Sequence, residues 1–349
     1  MTTIATTGGG TAGHVLPCIA LIPDLKNHFN RIIHVGGDGM EKELIPSVGI
    51  EFFRTKSIKF DRAHILKNLK IPFVLSAAVK EAKDILSREK VDVVFGKGGY
   101  CSLPTVIGAK QLGIPVAIHE SDYKLGLANK VGSYFADLIL TSFPETKGGL
   151  FVGNPIRKEI FDGNALTIIR EYNLSPFKKT LLFFGGSSGA SVINDVVFKI
   201  AKTLVKEFNV LHVIGKKEKR RLFLDGYVSI PYANDIQNLY ATADVIIMRG
   251  GANSLGETTA LGKRVICIPL PKSKYSRGDQ VDNALSYLKR GLINLLPQNE
   301  LNEERLIKEI YSTLSQKERP VNRDTPNGEI VKKLWNLLVD TKNTQSILR

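Results

Sequence analysis

Glu257 follows Ser254 by three residues on a stretch that opens with the apolar run 245–248, breaks at Arg249, Gly250 and Gly251, and restarts in a helical pattern at Asn253 or Ser254. Two kinds of chemistry fit that spacing. In one, Ser254 and Glu257 form a capping box, each side chain satisfying a backbone N–H at a helix start. In the other, the carboxylate lies at the carboxyl end of a parallel sheet, where α/β proteins bind ligands, and accepts both hydroxyls of a ribose. Further on, a loop rich in Pro, Lys, Ser and Gly, 271–278, leads into Asp279, Gln280 and Asn283. Asp279 reads as a helix N-cap. Gln280 brings donor and acceptor groups to the same edge, as sugar hydroxyls require.

A second set of candidates stands near the start. Gly8, Gly10 and Gly13 meet the G-x-G-x-x-G spacing between a strand pattern over 2–7 and an apolar helix pattern over 15–25, with Asp38 after the next strand, 31–35. Such glycines let a pyrophosphate approach a helix N-terminus, and an acid beyond the second strand can hold a nucleotide ribose. A single match of this kind fits an NAD-dependent dehydrogenase as well. A second glycine-rich turn discriminates, and GGSSGAS supplies it after the strand pattern 180–184 and before an amphipathic helix over 192–204.

Between the two turns, strand patterns over 91–95, 116–119 and 138–141 alternate with helix patterns over 76–88 and 104–112. The turn GKGGY and the segment HESDYKLGLANK place Tyr100, His119, Glu120 and Asn129 at the same sheet edge as His14. For His119 taken alone, a satisfied structural histidine is the more ordinary reading. VGNPIR, 152–157, reads as a linker carrying Arg157. Beyond the second turn, strand patterns over 210–214, 227–230 and 264–269 and a helix face at Ile236, Leu239, Tyr240 and Ala243 continue the rhythm, and a last helix carries Trp335. The expectation is an α/β protein of two Rossmann-like domains: 1–155, joined by a C-terminal helix 328–349, and 156–327.

A chain of 349 residues can bury two cores. With 43% hydrophobic and 23% charged residues, it has a soluble composition, without an apolar run long enough to span a bilayer. Its first residues read as strand and turn rather than as a signal peptide, so the expected compartment is the cytoplasm. Cys18, Cys101 and Cys267 lie far apart in apolar runs and suggest core residues, not a disulfide framework or zinc set. No P-loop or H-E-x-x-H spacing is present. The net charge of +14 favours anionic partners, whether nucleic acid, an anionic membrane or a phosphorylated ligand. Arg54 to Lys80 is basic with Asp61 as its only acid, yet offers just Phe60 and Phe73 for stacking on bases, too few for a nucleic-acid surface. A second basic cluster, Lys216, Lys217, Lys219, Arg220 and Arg221, reads as a solvated loop.

GGGTAGHVLP, GKGGYCSLP, HESDYKLGLANK, GNPIR, GGSSGA, RGGANSLGE and SRGDQVDNA occur in that order, and across essentially its whole length the sequence resembles the MurG family of peptidoglycan glycosyltransferases. The resemblance implies a GT-B glycosyltransferase fold, with two Rossmann-like domains facing a central cleft. It implies an inverting transfer of N-acetylglucosamine from UDP-N-acetylglucosamine to the muramoyl 4-hydroxyl of lipid I, giving lipid II, with no metal or other cofactor. The implied partners are those two substrates, the anionic cytoplasmic membrane surface, where the protein would be peripheral, and cell-wall synthesis proteins, but no nucleic acid. His14, Glu120 and Asn129 would be catalytic. Thr11, Ala12, Gly13, Asp122, Arg157, Ser187, Ala233, Asn253, Ser254, Glu257, Asp279 and Gln280 would serve the donor, and Gly10, His14, Tyr100 and His119 the acceptor. Four positions depart from the family pattern: Ala12 and Leu103 replace common glycines, Asp122 a common asparagine and Asp279 a common glutamine, the last two losing an amide donor. Glycolipid glycosyltransferases and UDP-sugar epimerases share the nucleotide half but not the GGGTAGH, GGY and HES set.

A lipid-linked acceptor has to be reached from the surface of the bilayer. Lys67, Lys70, Phe73 and Leu75, within the stretch HILKNLKIPFVLSAAVKEAK, are the expected membrane contacts, apolar residues ringed by lysines that include Lys80 and Lys83. The plain alternative has Phe73 to Leu75 starting a core helix after Pro72.

Overall fold

The computed structural model describes residues 1–57, 69–186, 189–273 and 276–347; Lys67 and Ser187 lie outside them. The chain divides into two compact units, Met1–Arg157 with Thr325–Arg349, and Lys158–Asp324. Ile156, Arg157 and residues 325–327 thus belong to the first unit, not the second as the linker reading has it.

The first unit is built on seven parallel strands, β1 (Thr3–Thr7), β2 (Arg31–Gly36), β3 (Glu51–Arg54), β4 (Val93–Gly96), β5 (Val116–Glu120), β6 (Leu138–Thr141) and β7 (Leu150–Phe151), in the order β3-β2-β1-β4-β5-β6-β7. Alternation in the strands feeds two cores. Ile4, Val93 and Phe95 face the helix Ala12–Leu25 and the terminal helix Asn327–Ile347, while Ala5 and Val94 face the helices Ile71–Arg88 and Leu103–Gln111. The terminal helix is tied in by Ile330, Val331, Leu334 and Leu338 and by Trp335 against Phe29, with ring centroids 5.6 Å apart. Asn327 fixes its start: the side-chain oxygen accepts from Ile156 N at 2.9 Å and the amide donates to Ala20 O at 2.9 Å.

The second unit repeats the design with β8 (Lys179–Phe184), β9 (Phe208–Val213), β10 (Tyr227–Ile230), β11 (Val245–Met248), β12 (Arg264–Cys267) and β13 (Asn294–Leu295), in the order β10-β9-β8-β11-β12-β13. In each sheet the strand order reverses beside the first strand of the unit, between β1 and β4 and between β8 and β11. Diverging connections leave a crevice at the carboxyl ends of such strands, where doubly wound folds bind ligands.

The helix Ile71–Arg88 starts where the plain reading has a core helix starting, but without burying Phe73. Its core face is Ala78, Val79, Ala82, Ile85 and Leu86, no residue of the helix before Ala78 is fully buried, and Phe73 is 80% exposed. Lys70 and Lys80 are exposed and Leu75 is half-buried. Lys83 is half-buried beside Gly108, where an added Cβ would lie 3.2 Å from its Cγ, so it does not join the exposed ring.

Candidate active site

At the first switch point, β1 runs into Gly8–Thr11 and the helix Ala12–Leu25, whose N-cap Thr11 makes no side-chain bond to the helix. Gly10 adopts φ +82°, and a Cβ there would stand 2.7 Å from the Tyr100 ring, so only glycine permits this approach. Thr11 and Gly13 are exposed, Ala12 and His14 partly so. His14 Nδ1 lies 3.3 Å from the carbonyl of Lys97. A carbonyl can only accept, so Nδ1 carries the proton and Nε2 the basic lone pair. Tyr100 is half-buried, and burial raises its phenol to about 12.

Three residues of the HES segment prove to be framework. Glu120 is buried, its carboxylate accepting from Asp122 N at 3.0 Å, Gly126 N at 2.8 Å and the Asn129 amide at 2.9 Å. Asn129, also buried, donates in addition to the His119 carbonyl at 3.1 Å. Expected among the catalytic groups, Glu120 holds the loop 121–126 through the N–H groups of Asp122 and Gly126, and Asn129 braces the Glu120 carboxylate and the end of β5. His119, expected at the acceptor, is fully buried with Nε2 2.8 Å from the Gly153 carbonyl. Burial, and after it the charge of Lys97, hold it well below the usual histidine range, so it is a neutral structural residue.

Sequence reasoning passed over Glu41 and Lys97. Glu41 is completely buried and accepts from Gly10 N at 2.9 Å, Gly37 N at 3.1 Å and Gly39 N at 3.3 Å. A carboxylate thus fills the nest of N–H groups around the first glycine turn, and Asp38, the would-be ribose ligand of a dehydrogenase, pairs at the surface with Arg54 at 2.6 Å. An adenine dinucleotide would meet that negative charge, and the dehydrogenase reading falls. Lys97 lies under the same turn, 1% exposed, with Nζ bonded to Ser121 Oγ.

At the second switch point, the turn after β8 places Gly186 at φ +86° and Gly189 at φ +75° before the helix Ser191–Leu204, which has no side-chain cap. After β11 comes the helix Ala252–Ala260 with Gly251 as N-cap. Ser254 is therefore inside the helix and Glu257 in its second turn, so no capping box forms. Glu257 is buried, while Asn253 and Ser254 are half-buried in the first turn. The helix Asp279–Lys289 starts from Gly278 at φ +84°, which makes Asp279 its first residue rather than its cap; the carboxylate accepts from Arg277 Nε at 2.9 Å. Gln280 uses its oxygen on Gly250 N at 3.2 Å and Leu270 N at 3.0 Å, joining the turns after β11 and β12. Arg249, unassigned in the sequence reading, donates to the Ile268 carbonyl at 2.9 Å. Ala233 is half-buried in the turn after β10, and Arg157 is the last residue of the first unit before the crossover.

Residues 4–141 match the glycosyltransferase family 28 N-terminal domain and 180–338 its C-terminal domain. The chain belongs to glycosyltransferase family 28. Within family 28 it is 41% identical over 329 residues to the UDP-N-acetylglucosamine–N-acetylmuramyl-(pentapeptide) pyrophosphoryl-undecaprenol N-acetylglucosamine transferase of Clostridium perfringens, covering 91% of this chain and 92% of that one. The enzyme of the same name from Clostridium botulinum is 41% identical over 324 residues, 89% of this chain and 90% of the other. Acinetobacter baumannii MurG superposes with a TM-score of 0.68 at 23% identity over 98% of this chain and 95% of that one, and the kitacinnamycin glycosyltransferase with 0.70 at 15% identity over 97% and 95%. Two parallel-sheet α/β domains of the GT-B class are what this family 28 chain shares with them. Among the described residues no cluster of His, Cys, Asp or Glu could hold a metal, and no helix is long and apolar enough to cross a membrane.

Proposed function

We propose that this protein transfers N-acetylglucosamine from UDP-N-acetylglucosamine to the 4-hydroxyl of the muramoyl sugar of lipid I, with inversion, giving lipid II and UDP at the cytoplasmic face of the membrane. The observation that carries the reading is 41% identity across nine-tenths of the chain to relatives named for that transfer. The second domain is the donor half: Glu257 takes the ribose hydroxyls, backbone near Ala233 the uracil, and the glycine turn 185–189 with its helix start the diphosphate. The Gln280 amide, with Asn253, Ser254 and Asp279 around it, serves the sugar, and Arg157 the diphosphate. The first domain receives the acceptor at Gly10 to His14 and Tyr100.

The chemistry is one displacement. His14 Nε2 takes the proton of the 4-hydroxyl as its oxygen bonds the anomeric carbon; the bond from that carbon to the diphosphate breaks, and the electron pair leaves with UDP. N–H groups at a helix start and a cation offset the charge that develops on the leaving group. Purified protein given UDP-N-acetylglucosamine and a lipid I analogue should release UDP with acceptor and not without it, and faster than with UDP-glucose or UDP-galactose. Equal release from all three sugars, or release independent of acceptor, overturns the assignment.

A further inference from the structure

Lys97 is the middle residue of a three-way junction. Its backbone N–H donates to Thr7 O at 2.7 Å, its carbonyl meets His14 Nδ1 at 3.3 Å, and its Nζ bonds Ser121, which in turn donates to Asn154 Oδ1 at 3.1 Å. The end of β1, the start of the first helix and the loop after β5 are therefore connected through one residue, the first two by its backbone and the third by its side chain. We infer that Lys97 is a positioning residue for the transfer: its buried ammonium pins the loop 121–126 through Ser121 while its carbonyl aims His14. This role rests on the transferase reading only for its kinetic consequence.

An ammonium removed from water lowers stability unless charge and hydrogen bonds compensate it. Here Glu120 at the end of β5, Asp122 in the loop after it and Cys18 on the helix Ala12–Leu25 act on it, with neutral His119 also on β5. Burial is the largest influence and lowers the lysine to about 8, against the opposing pull of Glu120, Cys18 and Asp122. The sign follows. Below pH 7 the ammonium is charged and attracts the two carboxylates; as pH rises through 8 it loses its proton and that attraction disappears. The tether from Nζ to Ser121 then loses its ionic support, residue 97 and the loop 121–126 are held together less firmly, and the backbone carbonyl that aims His14 shifts with the rest of Lys97, a small displacement of the kind that can cost a large factor in rate.

The test compares wild type, Lys97→Met and Lys97→Arg. Met fills similar volume without charge, and Arg stays charged far above pH 8. Wild-type kcat for a lipid I analogue should fall on an alkaline limb centred near pH 8, K97M should be at least about tenfold slower at pH 7 with unchanged UDP affinity, and K97R should lack the limb. A second readout needs no turnover: amide exchange at Asp122 and Gly126, corrected for intrinsic rates, should accelerate above pH 8 in wild type, be fast throughout in K97M and stay slow in K97R. K97M with wild-type rate and pH profile, or exchange at the two amides that ignores both variants, overturns the inference. Absence of any transfer by wild type would instead sink the transferase reading and leave the exchange experiment to decide the role of Lys97.

Discussion

A carboxylate in the second turn of a helix cannot cap that helix, because the unpaired N–H groups belong to the first turn. That separates the two readings of Glu257 that the spacing alone left open, since Gly251 and not Ser254 stands at the cap. Charged hydrogen bonds contribute roughly 1.5–3 kcal/mol each, so Glu257→Ala should weaken UDP at least about tenfold. Calorimetry giving wild-type UDP affinity would reduce Glu257 to a packing residue. His14 belongs to the other half: His14→Ala should leave UDP binding near normal and lower kcat about 10²–10⁴-fold. Full turnover in that variant would return His14 to a residue of the helix start. The glycines were legible because few residue types tolerate a backbone such as that of Gly10, and His14 because it follows them at the helix start. Glu41, Glu120 and Lys97 were not, since a charged residue defaults to the surface and only the folded chain reveals which ones are enclosed.

Among the elements, strands with apolar runs came out where the pattern put them: Leu138–Thr141 and Val245–Met248 are paired on both sides, and Tyr227–Ile230 lies at the sheet edge. The helix Glu41–Ser47 and the edge strand Glu51–Arg54 escaped, because a seven-residue polar helix and a strand paired on one side need little apolar surface. Yet that short helix supplies Glu41, the clamp on the glycine turn. Burial by itself would raise this carboxyl, but the bonds from Gly10 and Gly39 and from Cys101 outweigh it and hold Glu41 below its ordinary value of 4.5. A depressed folded-state value means stability that is present above the unfolded range and lost as pH falls through the folded value. Glu41→Ala should cost roughly 2–4 kcal/mol at pH 7, since stranded buried donors cost about 1–3 kcal/mol each and neighbours are not additive. With Glu41→Gln, the gap in unfolding midpoint from wild type should shrink below pH 4. A gap that stays constant from pH 7 to pH 3 would show that the charge of Glu41 is not what closes the turn.

For the whole molecule the question is how a chain with no described spanning helix reaches a lipid-linked acceptor. We propose that the net charge of +14 draws the chain toward an anionic surface and that the start of the helix Ile71–Arg88 makes the contact. Leu69 and Phe73 are 71% and 80% exposed beside exposed Lys70 and Lys80, and the core face of the helix begins only at Ala78. A large apolar side chain entering the interface contributes about 1.5–3 kcal/mol and each nearby lysine about 1 kcal/mol, enough for reversible docking. Phe73→Ser combined with Lys70→Glu and Lys80→Glu should therefore weaken binding to anionic vesicles on the order of a thousandfold, with 1.4 kcal/mol counted per factor of ten. None of the three side chains is buried, so the melting temperature should hold. Transfer to a long-chain lipid I in vesicles should slow in proportion, while a short-chain soluble analogue is glycosylated at the wild-type rate. Equal losses on both acceptors would place these residues in the acceptor site itself, and vesicle binding indifferent to the triple change would move the membrane contact to another face.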